Sequence, residues 1–189
     1  MTLRACSLAA RRLSRPALSY IGQHITVNRV PRINRFVQLL AGTSRSAFQL
    51  VRSLDLGVTS KSADPKDYLE EQVTILESFA QRQTLTRLWL SNFPFPSIEP
   101  SKRGKIRDIF TALASTVDNL GLYGCRFLSY TDMISFIRAF PRCDSLVVRD
   151  CITGVPNSIE NMFSGLPEYK LSLDFLELAS SRYRCFDSD

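Results

Sequence analysis

The sequence is poor in the side chains that most enzymes use for catalysis. It contains a single histidine, His24, in 189 residues. A Ser or Cys nucleophile usually needs an adjacent base that is held in place by a third group, and no such partners stand at a recognised spacing from His24. We therefore predict that the chain is not an enzyme and that His24 is a polar residue at the end of a strand.

Sequence motifs for cofactors and metals are also missing. None of the eight glycines belongs to a glycine-rich dinucleotide motif, and the basic segment 101–105 lacks the residue order of a phosphate-binding loop. The cysteines form no Cys-x-x-Cys pair, which is the spacing typical of zinc sites. The five cysteines are Cys6, Cys125, Cys143, Cys151 and Cys185. We expect neither a cofactor nor a bound metal.

Long apolar runs are absent, and none approaches the roughly 18 residues of a membrane-spanning helix. The sequence also has no Asn-x-Ser/Thr glycosylation site, and its cysteine count is odd. These absences favour a reducing intracellular compartment, cytoplasmic or nuclear, with free thiols rather than a disulfide framework.

Acidic residues are absent from the first 54 positions, which hold nine of the 24 basic residues, all of them arginines. The rest of the chain carries 15 basic and 18 acidic side chains, so the formal net charge of +6 is a property of the N-terminal part. An arginine-rich, acid-free, amphipathic N-terminus is typical of a cleaved mitochondrial presequence, which is one alternative for this segment.

A second alternative is weak nucleic-acid binding through the basic N-terminal part of the chain. Arginines continue from position 29 to position 52 and could form a patch that contacts phosphates. The sequence shows no recognition motif and no run of aromatics among these arginines. That pattern favours a solvated surface over a nucleic-acid site.

The sequence does contain a short apolar pattern that occurs five times. Apolar residues occupy the first, fourth and sixth positions of each copy. The copies are Val51-xx-Leu54-x-Leu56, Leu85-xx-Leu88-x-Leu90, Val117-xx-Leu120-x-Leu122, Cys143-xx-Leu146-x-Val148 and Leu173-xx-Leu176-x-Leu178. The steps between fourth-position leucines are 34, 32, 26 and 30 residues. This period predicts an α/β fold in which units of one strand and one helix stack and share a core.

Side-chain alternation along a strand predicts which residues share the face opposite the core. The fourth and sixth positions point inward, so the third, fifth and seventh point outward. The predicted rows are Ser53/Arg87/Asn119/Ser145/Phe175, Asp55/Trp89/Gly121/Val147/Glu177 and Gly57/Ser91/Tyr123/Arg149/Ala179. Trp, Tyr and Arg dominate binding energy at many interfaces. The predicted partner-binding residues are Asp55, Arg87, Trp89, Asn119, Tyr123, Arg149 and Glu177.

The repeated apolar pattern resembles the leucine-rich-repeat signature L-x-x-L-x-L-x-x-N/C-x-L. Two copies also carry cysteine at the ninth position, Cys125 and Cys151. The resemblance implies a short leucine-rich-repeat-like solenoid over residues 25–189 with a concave face that binds a protein target. It also implies that the two cysteines point inward and satisfy backbone groups at a turn.

The N-terminus carries a second resemblance. The stretch Leu3-Arg-Ala-Cys-Ser-Leu-Ala-x-Arg, followed by a helix and then Ile25-Thr-Val27, resembles the C-terminal half of an F-box in a large family of fungal F-box-like proteins. The resemblance implies a helical segment over residues 1–24 and a substrate-recognition role in a cullin-RING ubiquitin ligase. The side chains that it implies would face the Skp adaptor are Leu3, Cys6, Leu8 and Leu13. The sequence starts after the Leu-Pro-x-Glu-Leu type stretch that forms the first F-box helix, so we expect either a truncated relative or an incomplete gene model.

Local patterns predict several helices and one notable loop. A helix is expected around Arg32 to Leu40. Another is expected after Asp64-Pro65, with Leu69, Val73, Leu76 and Ala80 on one face and Phe79 beside them. A third is expected from Thr131 to Phe140 and buries Met133, Ile134, Ile137 and Phe140. The loop Asn92-Phe-Pro-Phe-Pro96 has two interpretations. It is either a partner-binding edge or aromatic packing beneath a repeat junction.

Overall fold

The fold is described from a computed structural model, which covers residues 23–42, 48–58, 64–154, 162–163, 169 and 172–179. The helices are α1 (Val30–Gly42), α2 (Leu69–Ala80), α3 (Arg103–Ala114) and α4 (Tyr130–Arg138). The strands are β1 (His24–Val27), β2 (Ser53–Gly57), β3 (Arg87–Ser91), β4 (Asn119–Tyr123), β5 (Arg126–Phe127), β6 (Ser145–Arg149), β7 (Ile152–Thr153) and β8 (Phe175–Ala179). Short 3-10 helices cover Pro65–Tyr68, Phe95–Ser97 and Pro100–Lys102. The predicted α/β class is confirmed.

Six strands form one parallel sheet whose order follows the chain. The order is β1-β2-β3-β4-β6-β8, while β5 and β7 pair in a separate two-stranded sheet. The register places Leu54 beside Leu88, and the same row continues to Leu176. The five copies of the apolar pattern therefore occupy equivalent positions in the sheet.

Backbone hydrogen bonds repeat with the same period as the strands. The carbonyl of Arg52, just before β2, accepts from the amides of Thr86 (2.8 Å) and Arg87 (3.0 Å). The corresponding carbonyls that each accept two amides from the next unit belong to Gln23, Thr86, Asp118 and Asp144. This pattern satisfies the backbone at the start of every strand in the large sheet.

The residue after three of the strands has a left-handed backbone. Asn92, Gly124 and Asp150 follow β3, β4 and β6 with φ angles of 55°, 59° and 52°. Their amides continue the ladder, since each donates to the last carbonyl of the neighbouring strand, as from Asn92 to Tyr123. Gly, Asn and Asp are the residue types that adopt this conformation most readily. The strands therefore end through the same turn each time.

The core lies between the sheet and the row of helices. Leucines at the fourth and sixth repeat positions of β2, β3 and β4 are 0–1% exposed. Helix α1 contacts α2, and α2 contacts α3. Because the helices line up beside one another on this side, the other face of the large sheet stays open.

The buried face of α2 differs from the prediction. Leu76, Phe79 and Ala80 are buried as expected, but Leu69 and Val73 are only partly buried, and Ile75 is fully buried instead. Helix α2 packs between α1 and α3. Its buried residues therefore face both helices and cover a wider part of its surface than a single apolar stripe. The predicted cap is confirmed for the preceding 3-10 turn, where Asp64 accepts from the amide of Lys66 at 3.0 Å.

The start and the buried face of α4 also differ from the prediction. Ser129 caps the helix by accepting from the amide of Asp132 at 3.1 Å. Phe136 and Ile137 are buried, whereas Met133 and Ile134 are half-buried. Asp132 is fully buried and accepts from the amides of Leu128 (3.4 Å) and Phe163 (3.2 Å). Burial raises the pKa of Asp132, and these amides oppose that rise.

Aromatic packing accounts for the loop at residues 92–96. Phe93 and Phe95 are both fully buried. The Phe95 ring lies 4.6 Å from the ring of Phe127 and 5.1 Å from that of Phe136, measured between centroids. The packing interpretation is confirmed, and the interpretation of these phenylalanines as a partner-binding edge is wrong, because neither ring reaches the surface.

Two glycines give opposite predictions for substitution by alanine. A Cβ at Gly57 would lie 2.1 Å from the Ser91 carbonyl oxygen, whereas a Cβ at Gly104 in α3 meets nothing within 4 Å. We expect Gly57→Ala to destabilise the fold by about 1–3 kcal/mol through forced separation of β2 and β3. Gly104→Ala should stabilise it by up to about 1 kcal/mol, because alanine restricts the unfolded chain. Urea unfolding of both variants measures the two effects, and a Gly57→Ala variant as stable as wild type would contradict the close contact.

The predicted domain at residues 1–24 lies almost entirely outside the described residues. This includes the adaptor-facing residues Leu3, Cys6, Leu8 and Leu13. The F-box-like segment and the presequence alternative therefore both stay predictions. Within the described residues, no helix is long and apolar enough to cross a membrane.

Candidate partner-binding face of the sheet

The three predicted rows of outward-pointing residues are present in the structure. Strand register aligns Arg87 with Asn119, Trp89 with Gly121, and Ser91 with Tyr123, and it continues in the same way to β8. These rows form the face of the large sheet opposite the helices, which we call the open face. All seven predicted partner-binding residues lie on it: Asp55, Arg87, Trp89, Asn119, Tyr123, Arg149 and Glu177.

Five of these side chains stack in one continuous series. The guanidinium carbon of Arg87 lies 4.3 Å from the Trp89 ring centroid. Trp89 stacks on Tyr123 with centroids 5.1 Å apart, and the guanidinium carbon of Arg149 lies 5.6 Å from the Tyr123 centroid. Arg149 then donates to the Glu177 carboxylate. We call Arg87, Trp89, Tyr123, Arg149 and Glu177 the stacked cluster.

Gly121 allows the two aromatic rings to meet. A Cβ at this position would lie 2.9 Å from Cγ and Cδ2 of the Trp89 ring. The missing side chain lets the indole lean across β4 toward Tyr123. Strand alternation placed Gly121 in the correct row but did not predict this role, and the only signal for it was a glycine within an otherwise regular strand pattern.

A shallow depression lies next to the stacked cluster, above β4 and β6. Its volume is about 230 Å³. Trp89 and Tyr123 border one side and Phe175 borders the other, with the smaller side chains of Ser145 and Val147 between them. Gly121, Ser145 and Val147, the small residues of β4 and β6, therefore leave room for the depression among larger neighbours.

His24 has partners that its sequence neighbours did not predict. Its Nδ1 lies 2.7 Å from the Ser53 hydroxyl, and its Nε2 lies 3.1 Å from the Thr26 hydroxyl. Parallel pairing of β1 with β2 brings Ser53 beside His24 and Asp55 beside Thr26. No recognised sequence spacing links His24 to Ser53, 29 residues away, so only the strand pairing reveals this contact. His24 is the first residue of β1, as predicted. Each ring nitrogen contacts a hydroxyl, so the arrangement differs from a Ser-His-Asp triad, in which a carboxylate orients the imidazole.

The carboxyl group of Asp55 has a raised pKa. Burial is the largest cause, while the nearby charges of His24 and Arg87 oppose it. The folded state therefore binds the Asp55 proton more tightly than the unfolded state. The stability from this group is fully present below the ordinary pKa of 3.8 and is lost as pH rises through the folded-state value.

Substitution of Asp55 tests this pH dependence. We expect Asp55→Asn to be more stable than wild type at pH 7, by less than about 1 kcal/mol because a half-exposed carboxylate is screened by water. The difference should vanish near pH 3, where Asp55 of the wild type is protonated. Urea unfolding of both proteins across this range measures it, and a gain that does not change with pH would contradict the assignment.

The two ninth-position cysteines bond the backbone of the preceding unit. Cys125 Sγ donates to the Leu90 carbonyl at 3.3 Å, and Cys151 Sγ donates to the Leu122 carbonyl at 3.6 Å. Both thiols are free, and burial raises the pKa of Cys125, which keeps it protonated as a donor. Their predicted structural role at the turn is confirmed.

A second groove, of about 390 Å³, lies between α2 and α3 on the helical side. Two of the three lysines that line it are paired with carboxylates: Lys102 bonds Glu70 and lies 3.7 Å from Glu99, and Lys105 lies 2.7 Å from Glu77. Lys102 and its partners are exposed. Ion pairs occupy two of its three lysines, so the groove offers less to a ligand than the open face does.

Metal-ligand geometry and comparison with known proteins are two further sources of functional information. Across the described ranges, no group of three or more His, Cys, Asp or Glu side chains is placed to hold a metal ion. No protein-family model, curated protein or solved structure matches the chain.

Proposed function

We propose that the chain is a non-enzymatic protein-interaction module that holds a protein target on its open face. The stacked cluster is the observation that carries this proposal. It presents a tryptophan, a tyrosine and two arginines, the residue types enriched in binding hot spots, on a surface that the helices leave uncovered.

The exposure and the contacts of the aromatic rings on the open face favour a role in binding a partner over a role in the hydrophobic core. Trp89 and Tyr123 are only half-buried, in contrast to the fully buried phenylalanines on the helical side. Their contacts with each other and with the arginines hold the rings in place before a partner arrives. Such preorganisation lowers the entropic cost of ordering these side chains when a partner binds.

We further propose that the repeating units form a short leucine-rich-repeat-like solenoid. Three features support this finer description: strand order that follows the chain, hydrogen bonds that recur in each unit, and inward cysteines after the strands. In such an architecture, the open face would be the concave side that receives the target.

The same module is proposed as a substrate-recognition subunit of a cullin-RING ubiquitin ligase. The resemblance of residues 3–27 to the end of an F-box supports this assignment. A purified Skp adaptor should bind the full chain and lose affinity when Leu8 and Leu13 are both changed to Asp. Adaptor binding that is undetectable, or unaffected by these changes, would remove the ligase role while leaving the open-face proposal intact.

The open-face proposal is tested by quantitative affinity capture from a cell extract. The baits are the wild-type chain, a Trp89→Ala/Tyr123→Ala variant, and a control in which two exposed residues of other surfaces, Leu39 and Tyr130, are changed to Ala. We expect a set of proteins to be captured by the wild type and the control but not by the open-face variant. Equal capture by all three folded baits would contradict the proposal.

A further inference from the structure

Recognition on the open face depends on side chains. The interior strands β2, β3, β4 and β6 are each hydrogen-bonded to a neighbouring strand on both sides. Their backbone groups are therefore committed within the sheet. A partner lying across these strands must be selected by the shape and charge of the outward side chains.

The size of the depression limits what can enter it. Its volume of about 230 Å³ lies below the roughly 300–1,000 Å³ of typical small-molecule pockets. The rings of Trp89, Tyr123 and Phe175 supply apolar walls, and polar side chains, among them Arg87, Arg149 and Glu177, complete the lining. One large apolar or aromatic side chain of a partner fits this space and these walls.

The two arginines of the stacked cluster differ in whether a carboxylate is paired with the guanidinium group. Arg149 is paired with Glu177. Arg87 is exposed and stacks on Trp89, and although its charge acts on the nearby Asp55, no ion pair within 4.0 Å joins it to a carboxylate of the described residues. A guanidinium that stacks through its flat face keeps its N–H edge for a carboxylate, which it can bind through two parallel hydrogen bonds.

Acidic residues at the edge of the open face disfavour a nucleic acid. Asp118, Asp144 and Asp174 directly precede β4, β6 and β8 and thus stand in one line along the edge of the large sheet where its strands begin. A phosphate backbone running over this edge would meet like charge, whereas nucleic-acid binding relies on neutralising phosphates with basic residues. A single carboxylate placed on Arg87 avoids this repulsion.

We infer that the open face binds a protein segment that combines one large apolar or aromatic side chain with a nearby Asp or Glu. The apolar side chain occupies the depression, and the carboxylate pairs with Arg87. This inference rests on the proposed function and adds the chemistry of its partner.

Selection from a displayed library of random 12-residue peptides on the full wild-type chain tests the inference. We expect enriched peptides to carry Asp or Glu within about three residues of Trp, Phe or Leu. Affinities are then measured for Arg87→Glu and for Arg87→Gln, which removes the charge without reversing it. Loss of a charge-assisted hydrogen bond predicts roughly 10- to 100-fold weaker binding. Arg126→Glu is the matched control, because Arg126 is exposed in the two-stranded sheet, away from the open face.

The outcomes separate the inference from the proposed function. Peptides that need Trp89 but show no acidic preference and no dependence on Arg87 would overturn the inference alone. The absence of any peptide whose binding depends on Trp89 or Tyr123 would count against both. A 20-nucleotide single-stranded RNA that binds more tightly than the peptides, with steep salt dependence and a requirement for Arg87, would replace the protein partner with a nucleic acid.

Discussion

Phe95→Ala should destabilise the folded chain by about 3–5 kcal/mol, a large part of the stability of a typical domain. Phe95 is fully buried, and its ring lies 4.7 Å from that of Phe93 and 5.4 Å from that of Phe163 between centroids. Alanine would leave a cavity between rings that come from several separate elements of the chain. Because these elements share one core, they cannot collapse into the space without moving the strands. Urea unfolding followed by far-UV circular dichroism measures the loss of stability.

Phe175 provides a matched control for this substitution. It is also a phenylalanine, but its side chain is about half exposed on the last strand. Phe175→Ala should therefore cost less than about 1 kcal/mol, as surface substitutions usually do. Equal destabilisation by the two substitutions would mean that Phe95 is not central to the core.

Trp89→Ala should weaken binding of an open-face peptide by about 30-fold or more, which corresponds to roughly 2 kcal/mol. The substitution removes the ring that joins Arg87 to Tyr123 and forms one wall of the depression. The expected cost to folding is smaller, about 1 kcal/mol, because the indole packs mainly in one half-buried aromatic pair. Isothermal titration with the tightest selected peptide measures the binding, and thermal unfolding measures the stability.

Tyr130→Ala is the control for Trp89→Ala, since Tyr130 is an exposed aromatic residue at the start of α4, in another part of the fold. It should leave peptide affinity unchanged. If Trp89→Ala instead unfolds the protein as severely as Phe95→Ala, Trp89 belongs to the core and its assignment as a binding anchor fails.

Strand positions were predictable from the sequence because each copy of the pattern places apolar residues at the same first, fourth and sixth positions. Apolar residues at the fourth and sixth positions identified the buried face of β2, β3, β4 and β6, and the alternation then placed Trp89 and Tyr123 in the correct rows. In β8 the same positions, Leu176 and Leu178, are exposed. Helix faces were less predictable. In α2, both Val73 and Gln72 could face inward by spacing, and only packing against helices on both sides buries Gln72 completely.

The contacts within the candidate site were harder to predict than its residues. Arg87 and Trp89 are two positions apart on one strand, so their proximity follows from alternation. The contact of Trp89 with Tyr123 requires a side chain to lean across Gly121, which depends on the orientation of a ring and not on register. His24 and Ser53, 29 residues apart, meet only because β1 pairs with β2.

The sequence by itself determined the α/β class, the repeat and the rows of outward residues, because these depend on local periodicity that every unit repeats. Tertiary structure alone decided which phenylalanines fill the core, which face α2 buries, and how the open-face side chains stack. Those outcomes depend on how separate units pack against one another, and close packing selects among side-chain arrangements that local sequence leaves equally available.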